Sequence, residues 1–213
     1  MPLRVVCFDL GGVVVRICRS FEEAALAAGV PLRRIPNDAE ALRRQRDLVE
    51  RHQLGHLGAH DFHRALASAL GEVYSTDELA RAHAAVLRGE YPGIEATIRL
   101  IGAAGLTTAC LSNTNDDHWD ALLAMPALQA MHARHASHLW GLAKPSEAIY
   151  RRFEREIAAR GEEILFFDDL EENVRAARSI GWDAVQIDHG GDTAEQVRQS
   201  LADRGIVLPR AKC

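Results

Sequence analysis

Four short apolar runs, "RVVCF", "LTTACL", "EILFF" and "DAVQI", begin at residues 4, 106, 163 and 183 and are bounded by polar residues or glycine. Compact runs of this length, without alternation, are what strands buried on both faces require. Longer segments with apolar residues at helical spacing lie between and after them. "EATIRLIGAAG" (95–105) places Ile98 and Ile101 three apart, and "SEAIYRRFEREIAARG" (146–161) sets Ile149, Tyr150, Phe153 and Ile157 on one face. "EENVRAARSIGW" (171–182) and "DTAEQVRQSLADRGI" (192–206) repeat the design, each carrying a glycine stop near its end. Buried strands alternating with such helices predict an α/β fold with a parallel sheet.

Residues 17 to about 91 break the alternation. "RSFEEAALAAGV", "DAEALRRQRDLVERHQLG", "GAHDFHRALASALG" and "TDELARAHAAVLRGE" are helical in period and contain no convincing strand. An insertion this long exceeds an ordinary αβ connection of about 2–6 residues. It is expected to form a helical subdomain (17–91) on a core made of 1–16 and 92–213, with "EYPGI" (90–94) marking the return.

Composition narrows the classes of function. Hydrophobic residues make up 47% and charged residues 26% of 213, ordinary for a soluble globular chain. A net charge of -5 gives no basic footprint for nucleic acid. No apolar run approaches the roughly 20 residues of a membrane helix, and no signal-peptide pattern opens the chain. Cys7, Cys18, Cys110 and Cys213 lie far apart, without metal spacing or a disulfide framework. The expectation is a cytoplasmic protein without nucleic-acid or membrane partners, as a monomer or weak homodimer.

Chemistry gathers where the strands end. The first run stops on Asp9, followed by Gly11 and Gly12; the second on Ser112-Asn113-Thr114-Asn115; the third on Asp168-Asp169. Ligands of parallel α/β sheets bind beyond the carboxyl ends of the strands. Lys144, in "GLAKPSE", precedes a helix and can bring a positive charge to the same edge. Each feature also has a plain structural explanation: a turn at Asp9, a helix cap at Ser112 or Thr114, acids on a helix dipole, proline at a helix entry. Their joint occurrence in chain order at one edge favours a site.

Order and spelling resemble the haloacid dehalogenase-like hydrolase superfamily. "FDLGGV", "LSNTN", "AKPSEAIY" and "FFDDLEENVRAA" are similar to its four motifs, over residues 4 to 188, and closest to a bacterial branch that includes glucose 1-phosphate phosphatases. The resemblance implies a Rossmann-like parallel sheet flanked by helices, with a small all-helical cap after the first strand. It further implies an Mg²⁺-dependent phosphatase of a small phosphorylated metabolite, with Asp9 as nucleophile and an aspartyl-phosphate intermediate. Mg²⁺ would take Asp9, the Gly11 carbonyl and Asp169, with Asp168 holding a metal-bound water or orienting the site. Gly12, Ser112, the Asn113 amide and Lys144 would receive the phosphate, Lys144 also offsetting charge on Asp9.

One position departs from the resembled motif: Gly11 stands where a second aspartate normally serves as general acid and base. Such assistance is worth about 10²–10⁴-fold. The expected substrate is therefore an ester whose alcohol leaves readily, such as an anomeric sugar phosphate. His52, His56, His60 and His63 fall at nearly helical spacing, but Gly55 and Gly58 should break that helix. They are read as solvated or partly packed side chains, in preference to a metal cluster or a substrate-facing acid. Trp119 and Trp182 are expected to cover the core, and Trp140 to do so or border the pocket. Alternatives to the phosphatase are a non-catalytic phosphate-binding scaffold, a haloacid dehalogenase and a phosphomutase.

Overall fold

The structure, a computed structural model, describes residues 2–209, so Cys213 lies outside the described residues. Its strands are β1 (Val5–Phe8), β2 (Val15–Ile17), β3 (Leu87–Glu90), β4 (Thr107–Ser112), β5 (Ala133–Ala136), β6 (Ile164–Asp168) and β7 (Asp183–Gln186). Five of them form one parallel sheet in the order β5-β4-β1-β6-β7. The four apolar runs supply β1, β4, β6 and β7. The sequence reading missed β5, an edge strand whose Arg134 and His135 interrupt the apolar signal. Core helices are α5 (Ile94–Ala103), α6 (Asp116–Leu123), α7 (Pro126–Gln129), α8 (Ser137–Trp140), α9 (Glu147–Ile157), α10 (Glu171–Ser179) and α11 (Thr193–Asp203). Helix α9 stops at Ala158, in the left-handed conformation, and not at Gly161, which opens a 3-10 turn.

Alternation along β1 divides its side chains between two cores. Val6 and Phe8 join Ile94, Ile98, Ile101 and Val197 on one face, while Val5 and Cys7 meet Ile149, Tyr150 and Phe153 of α9 on the other. Cys7 and Cys110 are buried free thiols whose pKa burial pushes up. Trp119 and Trp182 are buried as expected, whereas Trp140 lies against His135 and Arg152, away from the cleft described below. Among the described residues, no helix is long and apolar enough to cross a membrane.

The insertion carries α1 (Phe21–Ala27), α2 (Ala39–Gln53), α3 (Ala59–Ala69) and α4 (Thr76–Ala84), but it is not purely helical. β2 and β3 pair antiparallel, joining the chain's exit to its return. "LRGE" reads as a helix end in isolation; pairing with β2 gives its backbone groups partners that a frayed helix end lacks. Ala25, Val30, Ala67, Leu70, Tyr74 and Leu79 form a core within the insertion. Ser75 caps α4 in a reciprocal box with Glu78, whose carboxylate also pairs with Arg33 at 2.7 Å.

The inserted helices are seated on the sheet-bearing part through the loop between α2 and α3. Ser137 Oγ donates to the Gln53 carbonyl at 2.6 Å. Gly55 sits beside it at φ 71°, and a Cβ there would come within 2.5 Å of the His138 carbonyl oxygen. Both the left-handed backbone and the close approach demand glycine. Gly55→Ala should destabilise the protein by at least about 1 kcal/mol, read as a lowered denaturation midpoint.

Candidate active site

The connections run from β1 to β4 on one side and reach β6 on the other, so strand order reverses beside β1. A crevice opens at such a point. Phe8 pairs with Phe167 in register, and the Asp9 N–H donates to the Phe167 carbonyl at 2.8 Å. That register carries Asp9 alongside Asp168. Asp9, Asp168 and Asp169 are all buried, each with an oxygen within 4.8 Å of the others.

Three buried carboxylates need compensating charge. Asp9 continues the Val5–Cys7 face toward α9, and Lys144, on the loop entering α9, meets it there. Lys144 Nζ lies 2.9 Å from Asp9 Oδ1 and 2.7 Å from Asp168 Oδ2, and Lys144 is 4% exposed. Burial opposes its charge, but Asp168 and Asp9 outweigh that and hold its pKa above the ordinary lysine value. Burial lifts Asp9, Lys144 pulls it back, and Asp168 and Asp169 raise it again, leaving it at about 6. Lys144 is itself held by Asn113, whose Nδ2 donates to the Lys144 carbonyl at 2.8 Å and whose Oδ1 accepts from its N–H at 2.9 Å. The Asn113 side chain therefore positions Lys144. Ser112 is buried at the cleft wall.

Asp168 is fully engaged. It accepts from Lys144, from the Leu170 N–H at 2.9 Å and from Asn173 Nδ2 at 3.0 and 3.1 Å. It is placed to orient Lys144, with Asn173 a partner that sequence reasoning did not single out. Asp169 pairs instead with Arg19, NH1 to Oδ2 at 2.7 Å. Nothing local marked Arg19, because it follows β2 and reaches Asp169 only through the fold. Gly12 adopts φ 82°, and a Cβ there would run into both Asp169 and Arg19. At Gly11 a Cβ would meet Ile17 Cδ1 at 3.0 Å, the movable end of a side chain. The cap of α6 is Asn115, which accepts from the His118 N–H, and not Ser112 or Thr114. Pro145 precedes the α9 cap, Ser146, and so lies outside the helix.

A cleft of about 260 Å³ lies at this edge, lined by Leu10, Gly11, Ser112 and Asn113 from the core and by His52 and His83 from the cap. The expectation of solvated or partly packed histidines holds for His56 and His60, which are exposed, whereas His52 and His63 are buried. These two meet His83 and His118, from α4 and α6, which carried no local signal. Burial lowers His63 and His118 and, aided by the neighbouring rings, takes His83 to about 2. Imidazoles so shifted do not supply a proton at neutral pH.

Removing the cation from between two buried carboxylates leaves both uncompensated. Lys144→Ala should cost about 3–5 kcal/mol in urea unfolding, with far-UV circular dichroism establishing the folded baseline.

Comparison with known proteins agrees with this architecture. The chain is 27% identical to Phosphatase MT3486 of Mycobacterium tuberculosis over 221 residues, 99% of each chain. A magnesium complex of the HAD family enzyme bt-2542 from Bacteroides thetaiotaomicron superposes with a TM-score of 0.76 at 20% identity, covering 93% of this chain and 100% of that one. L-2-haloacid dehalogenase from Xanthobacter autotrophicus superposes at 0.61 and 20% identity, covering 96% and 84%. At such identities these two structures speak to fold alone. A model of the haloacid dehalogenase-like hydrolases matches residues 3–181, and the chain belongs to that family of hydrolases.

Proposed function

We propose that the chain is an Mg²⁺-dependent phosphatase that hydrolyses a small phosphorylated metabolite through an aspartyl-phosphate on Asp9. The observation that carries this reading is the buried Asp9 carboxylate, 2.9 Å from Lys144 Nζ, next in the chain to Leu10 and Gly11, which line a small cleft with Ser112 and Asn113. The Asp9 carboxylate attacks phosphorus and the ester P–O bond breaks. The leaving oxygen takes its proton from water, since residue 11 offers no carboxylic acid. Water then attacks the aspartyl-phosphate, releasing inorganic phosphate and restoring Asp9. Lys144 offsets the charge gathered between the nucleophile and the phosphoryl oxygens, and the Ser112 hydroxyl with the Asn113 N–H orients them.

The donor set suits a hard divalent cation, because it consists of carboxylate oxygens. Lys144 takes one oxygen of Asp9 and Arg19 one of Asp169, so each carboxylate keeps another. Asp9, Asp169 and the Gly11 carbonyl are the assigned ligands, and Arg19 competes for Asp169. When bound, Mg²⁺ would neutralise phosphoryl charge and align the ester with Asp9. The carboxylate cluster favours this chemistry over dehalogenation, which uses the aspartate on carbon without such a cluster. Buried free thiols and the acidic net charge support a cytoplasmic setting.

Phosphate release from a library of phosphorylated metabolites should require Mg²⁺ and vanish in Asp9→Asn. Metal-independent halide release from 2-haloacids, or phosphate binding without turnover across the library, would overturn the reading. Gly11→Asp, with Ile17 Cδ1 able to yield, should raise rates on alkyl phosphates by up to about 10²-fold while changing those on anomeric sugar phosphates far less. Equal gains on both classes would show that leaving-group protonation is not what Gly11 removes.

A further inference from the structure

Apart from the aspartate cluster, a second group of donors converges where the cap meets the core. His52 comes from the last turn of α2, His63 from α3, His83 from α4 and Asp117 from the first turn of the core helix α6. Asp117 Oδ2 lies 3.5 Å from His52 Nε2, 3.8 Å from His63 Nε2 and 3.3 Å from His83 Nδ1, and the last two nitrogens are 3.0 Å apart. Ligands about 2.0–2.1 Å from a zinc ion stand roughly 3.3 Å apart along the edges of a tetrahedron. His52, His83 and Asp117 each offer a ligand atom within 4.8 Å of the other two, giving three corners of such a tetrahedron, while His63 Nε2 stays outside that set, hydrogen-bonded to His83 Nδ1 at 3.0 Å.

The tautomer of His52 gives an independent indication. Its Nδ1–H donates to the Leu57 carbonyl at 2.7 Å, and the ring stacks on Phe62 at 4.3 Å. Nε2 is buried, has no hydrogen-bond partner and faces the Asp117 carboxylate at 3.5 Å. A cation between the two would give both atoms a partner. A backbone carbonyl holding the distal ring N–H is also how metal-binding histidines are commonly oriented.

We propose that His52 Nε2, His83 Nδ1 and Asp117 Oδ2, with a water as fourth ligand, form a tetrahedral site for a borderline transition metal of the Zn²⁺ class, distinct from the aspartate cluster. Two imidazoles and one carboxylate suit that class and not Mg²⁺. The two histidines belong to the inserted helices and Asp117 to the core, so the ion clasps one to the other, and His63 must release its contact with His83 Nδ1. His52 and His83 also line the cleft, so occupancy sets the shape of its roof. Binding at His83 Nδ1 moves the ring proton to Nε2, and the Asn115 amide, 3.3 Å from that atom, must release its contact.

The test is titration of the chelator-treated full chain with Co²⁺. One equivalent should give the intense visible absorption of tetrahedral Co²⁺, and Zn²⁺ should bleach it. His52→Gln and Asp117→Asn, each verified as folded by circular dichroism, should weaken Co²⁺ binding by at least about 100-fold. The Asp9→Asn/Asp169→Asn double variant should keep the band. X-ray absorption on the Zn²⁺-loaded wild type, which needs no variant, should count two imidazoles and two oxygens at about 2.0–2.1 Å. Weak octahedral Co²⁺ bands, a band lost in the Asp9 and Asp169 variant but retained in the histidine variant, or no band at all would overturn the proposal. The last result would leave the cluster as an imidazole–carboxylate contact without a metal.

Discussion

The Lys144 ammonium, shared between Asp9 and Asp168 at 2.9 and 2.7 Å, is the contact on which the site depends. It brings together the ends of β1 and β6 and the loop entering α9, three segments far apart in the chain. None of the three charges could stay ionised in that dry setting alone. Asn113 holds the Lys144 backbone and Asn173 holds Asp168, so two amides keep the cation aimed. The arrangement needs all its members, because removing one charge strands the others.

The cap complements this rigid floor with a roof that belongs to other helices. Its seat combines the Ser137–Gln53 hydrogen bond, the close passage of Gly55 over His138 and the histidines gathered around Asp117. The cleft between floor and roof, about 260 Å³, suits a small ligand. Its chemistry is lopsided. Beside the cleft the Lys144 cation is held between Asp9 and Asp168, no acid stands at Gly11, and burial keeps His63, His83 and His118 below the ordinary imidazole range.

Much of the fold could be read directly. The runs at 4, 106, 163 and 183 became β1, β4, β6 and β7 because a strand buried on both faces is apolar throughout, and that signal needs no partner to be seen. β5 was hidden because an edge strand tolerates Arg134 and His135, and the β2–β3 ribbon because each strand exists only through the other. In the site, Asp9, Ser112, Asn113, Lys144 and Asp169 stood at strand or helix boundaries where function concentrates. Arg19, Asn173, His83, His118 and Asp117 lay within ordinary helical or loop sequence.

The division has a physical basis. Local apolar periodicity and the placing of acids at strand ends determined the α/β architecture and the edge where chemistry would gather, because both depend on residues adjacent in the chain. Which oxygen meets which cation was decided by tertiary structure. Strand register sets Asp9 beside Asp168, and the cap's docking brings four imidazoles and a carboxylate together from four helices. Such convergence depends on distances across space, to which spacing along the chain carries no guide.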